Sequence, residues 1–111
     1  MSALGLPALA WLVFVGAALL EVGGDATVRH GLRGGRAGVI VAGCVLLAGY
    51  GLLVNVVRWD LSRLLGAYVA VFALVSVLIG RLVLHETVPA STWIGVVIIV
   101  AGGAVVQLGS R

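Results

Sequence analysis

Apolar residues run along this chain in four long stretches, separated by short clusters of arginine, glycine, proline and acid. The first stretch runs from about Leu4 to Ala26 and contains only Glu21 and Asp25 as ionisable groups. The second, Ala37 to Val57, has no charge at all. The third runs from about Leu65 to Leu84, interrupted near its end by Arg81, and the fourth from about Ser91 to Leu108. A helix that crosses a bilayer needs roughly 20 predominantly apolar residues, so each stretch is long enough. Residues 37–57 offer no polar face, which excludes a water-soluble amphipathic helix there. The pattern predicts an all-α integral membrane protein: one domain over residues 1–111, a bundle of four transmembrane helices at about 4–26, 37–57, 65–84 and 91–108.

The connections are short, so consecutive helices are expected to be antiparallel neighbours. "VRHGLRGGR" should break the first helix at its glycines and bring arginines to the headgroups. "RWDLSR" places Trp59 as an interfacial anchor, and in "HETVPASTW" Pro89 can start the fourth helix beside Trp93. No Lys or Arg precedes residue 29, which argues against a cleaved signal peptide.

Composition agrees with this division. The chain is 62% hydrophobic and only 10% charged, against about 25% charged in soluble domains. Its isoelectric point of about 10.0 would suggest nucleic acid in a soluble protein. Here the arginines fall at helix ends, which points to lipid phosphates and orientation, and no nucleic acid is expected. Arg58, Arg63 and Arg111 fall on the side that holds both termini; Arg29, Arg33, Arg36 and Arg81 fall on the other. Three against four is nearly no bias, a balance that permits insertion both ways. The lone Cys44 lies mid-span as a small apolar residue. Without CxxC, HExxH or a glycine-rich phosphate loop, no enzyme chemistry, cofactor or metal is expected.

The chemistry gathers in the first stretch. On a helix, residues 21, 25 and 29 share one face. Asp25 is within i to i+4 reach of Arg29, and an ion pair between them accounts for it. Glu21 lies two turns from Arg29, too far for an intrahelical pair with it. An ionisable group inside a span costs a few kcal/mol and marks a functional site. A carboxyl there can hold either a proton or a cation, the simplest basis for exchange; a protonated interior residue bonded to a neighbouring helix is the plainer alternative. Among the few other polar groups within the spans are Tyr50, Asn55, Tyr68 and Ser76; Tyr68 shares a face with Phe72 one turn deeper, a pair that suits either a cationic guest or packing in the bundle. On the fourth helix Gly95 and Gly102 lie seven apart, with Ile98, Ile99 and Val105 beside them. That stripe suits helix association in lipid, within one chain or across a dimer.

These features together, "LLEVGG" in the first helix, "GAY" at 66–68 and "LHETVPASTWIGVVIIVAGG" leading into the fourth, resemble the small multidrug resistance branch of the drug/metabolite transporter superfamily over essentially the whole chain. The resemblance implies that Glu21 binds protons and cationic substrate competitively, that Tyr68 lines the site, and that antiparallel dimers pack through the fourth helix. Three positions depart from it: Val71 replaces a tryptophan, "AVFALVS" lacks the third-helix glycines, and Asp25 stands at an uncharged position. YnfA-like proteins, and short subunits that translocate lipid-linked sugars, share the architecture and fit these departures equally well. The expected function is proton-coupled export of small or amphipathic organic cations from a bacterial inner membrane. It would be carried out by alternating access in a homodimer, or in a heterodimer with a paralogue. The alternative is a non-antiporting subunit of a flippase or other membrane complex.

Overall fold

The computed structural model describes residues 7–109, all of whose regular structure is helical. Residues 4–6 of the expected first span, and Arg111, lie outside the described residues. Four helices follow in order: α1 (Pro7–Gly34), α2 (Ala37–Val54), α3 (Leu61–Leu82) and α4 (Ala90–Gly109). Each is long and apolar enough to cross a membrane. The chain divides into two compact units, Met1–Val57 and Arg58–Arg111, and each is a helical hairpin.

In the first unit α1 differs most from expectation, continuing through "VRHGLRGG" to Gly34, eight residues beyond Ala26. A glycine in a helix interior costs only about 1 kcal/mol, and Gly31 offsets it by close packing on Ile40 of α2. The helix ends instead at Gly35, whose φ of 65° is a left-handed conformation open to glycine without strain. The Arg36 N–H donates to the Gly31 carbonyl at 2.9 Å, five residues back, the wide bond of a Schellman ending. The expected ten-residue connection is therefore a two-residue turn. Arg29, His30 and Arg33 ride on α1 rather than in a loop.

The α1–α2 contact follows a heptad of small residues: Ala10, Ala17, Gly24 and Gly31 are all buried. A seven-residue repeat keeps one seam facing a partner along a gently supercoiled helix. A Cβ on Gly24 would lie 3.1 Å from the Gly43 carbonyl oxygen and 2.8 Å from Leu47 Cγ. A Cβ on Gly43 would lie 2.9 Å from the Gly24 carbonyl and 2.8 Å from Val28 N. At Gly31 the same atom would meet Ile40 N at 2.8 Å. These are backbone atoms, so the two helices touch main chain to main chain, as small residues permit in lipid. Further along, Gly16 faces Leu53 and Gly49 faces Leu20, which fixes an antiparallel register. Near the start of α1, Trp11 packs edge-on against the fully buried Phe14, ring centroids 5.5 Å apart.

α2 ends three residues before the expected Val57. Asn55 Nδ2 donates to the Gly51 carbonyl at 2.8 Å and the Val56 N–H to that of Leu53, closing the last turn. α3 in turn begins a turn early, at Leu61, with Asp60 in extended backbone just before it.

The second unit repeats the device more sparingly. Gly103 of α4 abuts Ala70 of α3, and Gly66 of α3 leaves room for Val106, whose Cγ1 would lie 2.9 Å from an added Cβ. At one end of this hairpin Arg63 stacks its guanidinium 4.1 Å from the centre of the Trp59 ring and donates from Nε to Gln107 Oε1 at 3.2 Å. At the other end the chain leaves α3 through His85, with φ of 57°, and the Glu86 N–H donates to the Gly80 carbonyl at 2.9 Å. Pro89 precedes α4 as expected, and its carbonyl accepts from Thr92 and Trp93.

Gly43→Ala is expected to destabilise the protein by about 1–3 kcal/mol, because the new methyl meets backbone that cannot move cheaply. Gly51, which has nothing within 4 Å of a virtual Cβ, should tolerate alanine within about 1 kcal/mol. Reversible unfolding in mixed micelles would separate the two variants. Removal of the Arg63 side chain (Arg63→Ala) should loosen the second unit by about 1 kcal/mol through the lost ring contact and hydrogen bond, read as a lower unfolding midpoint in the same assay.

Candidate functional site

Glu21 occupies the middle of α1, half-buried, and Asp25 follows one turn later, exposed. The register set by Gly24, Gly43 and Gly49 brings α2 alongside with Tyr50 at the level of Glu21. The Tyr50 phenol is half-buried and feels the charge of Glu21 first and of Asp25 second. Two carboxyls of one helix thus converge electrostatically on one phenol of the next. Asp25 does not pair with Arg29 as the spacing predicts; both are exposed, and no ion pair joins them.

A phenol differs from a guanidinium in what it permits. It can donate to a carboxylate and accept from a carboxylic acid, so it suits both protonation states. An arginine here would hold the carboxylate ionised and compete with any cationic guest. Three other polar side chains are occupied locally. The Thr27 hydroxyl donates to the Gly23 carbonyl at 2.7 Å and that of Ser76 to the Ala73 carbonyl at 2.9 Å. Asn55 is bonded to Gly51, as its place at the end of a span suggests.

Tyr68 and Phe72 do share a face of α3, ring centroids 6.2 Å apart at 33°. Tyr68 is only 3% exposed. Within the first unit the aromatic residue at the level of Glu21 is Tyr50, which the sequence reading named only as a polar group of the second span. On α4, Val96 and Gly103 are buried. Gly95 and Gly102 have open space where a side chain would be, and Ile98, Ile99 and Val105 are exposed. The predicted stripe is therefore the face of α4 turned away from α3.

Helices of this length and apolarity, with carboxyls and a phenol inside one hairpin, define a small four-helix membrane protein. The family model described as "Uncharacterised BCR, YnfA/UPF0060 family" matches residues 8–111, and the chain belongs to that family. It is 35% identical over 102 residues to the UPF0060 membrane protein YfjF of Bacillus subtilis, covering 90% of this chain and 94% of that protein. No solved structure matches it.

The placement of Tyr50 rests on register and is open to direct test. In a Cys44→Ser background, cysteines at positions 20 and 49 should cross-link efficiently under mild oxidation, because Leu20 Cδ1 lies 3.8 Å from where a Gly49 Cβ would be. A pair at 18 and 45, the register that a long connection would give, should remain uncoupled on a reducing versus non-reducing gel.

Proposed function

We propose that this protein exchanges protons for small or amphipathic organic cations across the membrane, in the manner of the small multidrug resistance transporters it resembles. The observation that carries the reading is a half-buried carboxyl, Glu21, at the middle of a membrane-length helix with a phenol of the neighbouring helix at its level. Glu21 binds a proton or a cation, not both, and Tyr50 supports either state by reversing the direction of its hydrogen bonding. Asp25, one turn away and exposed, attracts the cation. Tyr68 and Phe72 pair on α3 of the second unit, and the assignment of Tyr68 to the substrate rests on the family resemblance.

The working unit in this proposal is a dimer, a homodimer or a pairing with a paralogue, joined through Gly95, Ile98, Ile99, Gly102 and Val105. The outward face of α4 supports this, since two glycines with open space beside exposed isoleucine and valine let helices approach closely in lipid. The near balance of arginines between the two sides is compatible with antiparallel protomers. A bacterial inner membrane is the proposed location.

In proteoliposomes with an imposed pH gradient, Glu21→Gln should abolish proton flux driven by an added lipophilic cation. Tyr50→Phe should reduce it about tenfold, the magnitude of one hydrogen bond to a charged group. Retention of flux in Glu21→Gln would rule out exchange at this site and favour the reading as a non-antiporting subunit of a larger membrane complex.

A further inference from the structure

The extension of α1 to Gly34 has a consequence apart from the carboxyls. Arg29, His30 and Arg33 lie on its last two turns, and Arg36 occupies the turn that follows. All four are exposed. The Arg36 side chain lies back over the end of α1, with Nε 3.8 Å from where a Gly34 Cβ would be. The nearest acid in sequence is Asp25, a full turn before Arg29, so this end of the hairpin carries three guanidiniums and an imidazole without an acid among them. α2 begins beside them with no side-chain cap on its first N–H groups, which adds partial positive charge in the same place.

The apolar neighbours specify what kind of anion fits. Gly31 packs directly on Ile40, so the basic turns of α1 run alongside the first, wholly apolar turns of α2. Leu32 is 64% exposed and Val41 62% exposed at this level. A soluble phosphate would engage the arginines alone. A phospholipid covers both kinds of surface, with its phosphate on the arginines and its acyl chains on Leu32 and Val41. Depth agrees: at 1.5 Å per residue, Arg29 is about 12 Å and Arg33 about 18 Å from Glu21 along the axis. If Glu21 is near the midplane, they bracket the boundary of a hydrocarbon core about 30 Å thick. Clusters of basic residues at that depth attract anionic headgroups.

We infer that the α1–α2 turn binds an anionic phospholipid, with Arg29, Arg33 and Arg36 holding the phosphate and Leu32 and Val41 the acyl chains. This inference does not depend on cation exchange at Glu21. The full-length protein in detergent, titrated with a phosphatidylglycerol or a phosphatidylcholine of the same chains and followed by native mass spectrometry, tests it. The wild type should retain the anionic lipid at least about tenfold more strongly than the zwitterionic one, and glycerol 3-phosphate should not displace it. The triple variant R29Q/R33Q/R36Q should lose the preference, R33Q alone should weaken it, and R58Q should keep it. Equal retention of the two lipids by the wild type overturns the proposal even if the triple variant fails to fold. Displacement by glycerol 3-phosphate, or an undiminished preference in R33Q and the triple variant, overturns it as well.

Discussion

The close approach of α1 and α2 at Gly24, Gly31 and Gly43 governs the first unit. In lipid there is no hydrophobic drive between helices, since acyl chains are as apolar as leucine, so association depends on packing and on how near the backbones can come. Here a single added Cβ would meet main-chain atoms at 2.8 to 3.1 Å. Such a contact has almost no freedom to slide. Slippage by one heptad would carry Gly24 to bulkier neighbours on α2, and the shortness of the turn at Gly35 opposes it as well. Register is therefore fixed by absent side chains, and it is register that brings Tyr50 to Glu21.

That pairing gives the cost of an intramembrane carboxyl a specific form. A charged side chain near the centre of a bilayer costs a few kcal/mol on insertion scales. A permanent opposite charge would offset it but would also fix the protonation state. A phenol can offset part of it through hydrogen bonding without fixing that state. The same preference for neutral partners runs through the spans, where Thr27, Ser76 and Asn55 bond to carbonyls of their own helices. The fixed charges gather toward the helix ends, where Arg63 finds Trp59 and Gln107.

How much of this was legible in the sequence depended on which signal each feature used. Four spans follow from long charge-free runs, and α4 matches within a residue because Pro89 and the polar "ST" mark its start. The end of α1 does not follow, because glycine-rich sequence resembles a loop whenever tertiary contact is invisible. Gly31 is helical because α2 presses on it, and only Gly35 has the backbone conformation that needs glycine. That one error propagates. A connection centred on residues 31 and 32 would set Glu21 opposite Ala42, whereas the observed turn at 35 and 36 sets it near Tyr50. The signal that could have prevented it was present: small residues at 10, 17, 24 and 31 continue one heptad through the supposed loop. Asp25 was assigned to Arg29 from spacing on one helix, and spacing cannot register a competing group on another.

The corrected length of α1 also changes the depth of the carboxyl. A span ending at Ala26 would set Glu21 little more than a turn from the membrane surface, where a charge is inexpensive and opens to one side. With 28 residues α1 is about 42 Å long, close to the full bilayer including headgroups, and Glu21 is at its midpoint. Centred in that way, the helix holds Glu21 about 20 Å from either end, with Asp25 about 6 Å off centre and Arg33 among the headgroups. A binding group at the midplane is equally far from both aqueous phases, so a modest rearrangement can expose it to either in turn. A group near one surface would need the whole helix to move. The glycine contacts that lengthen α1 and set its register thus also hold Glu21 at mid-helix, the position that the proposed exchange would use.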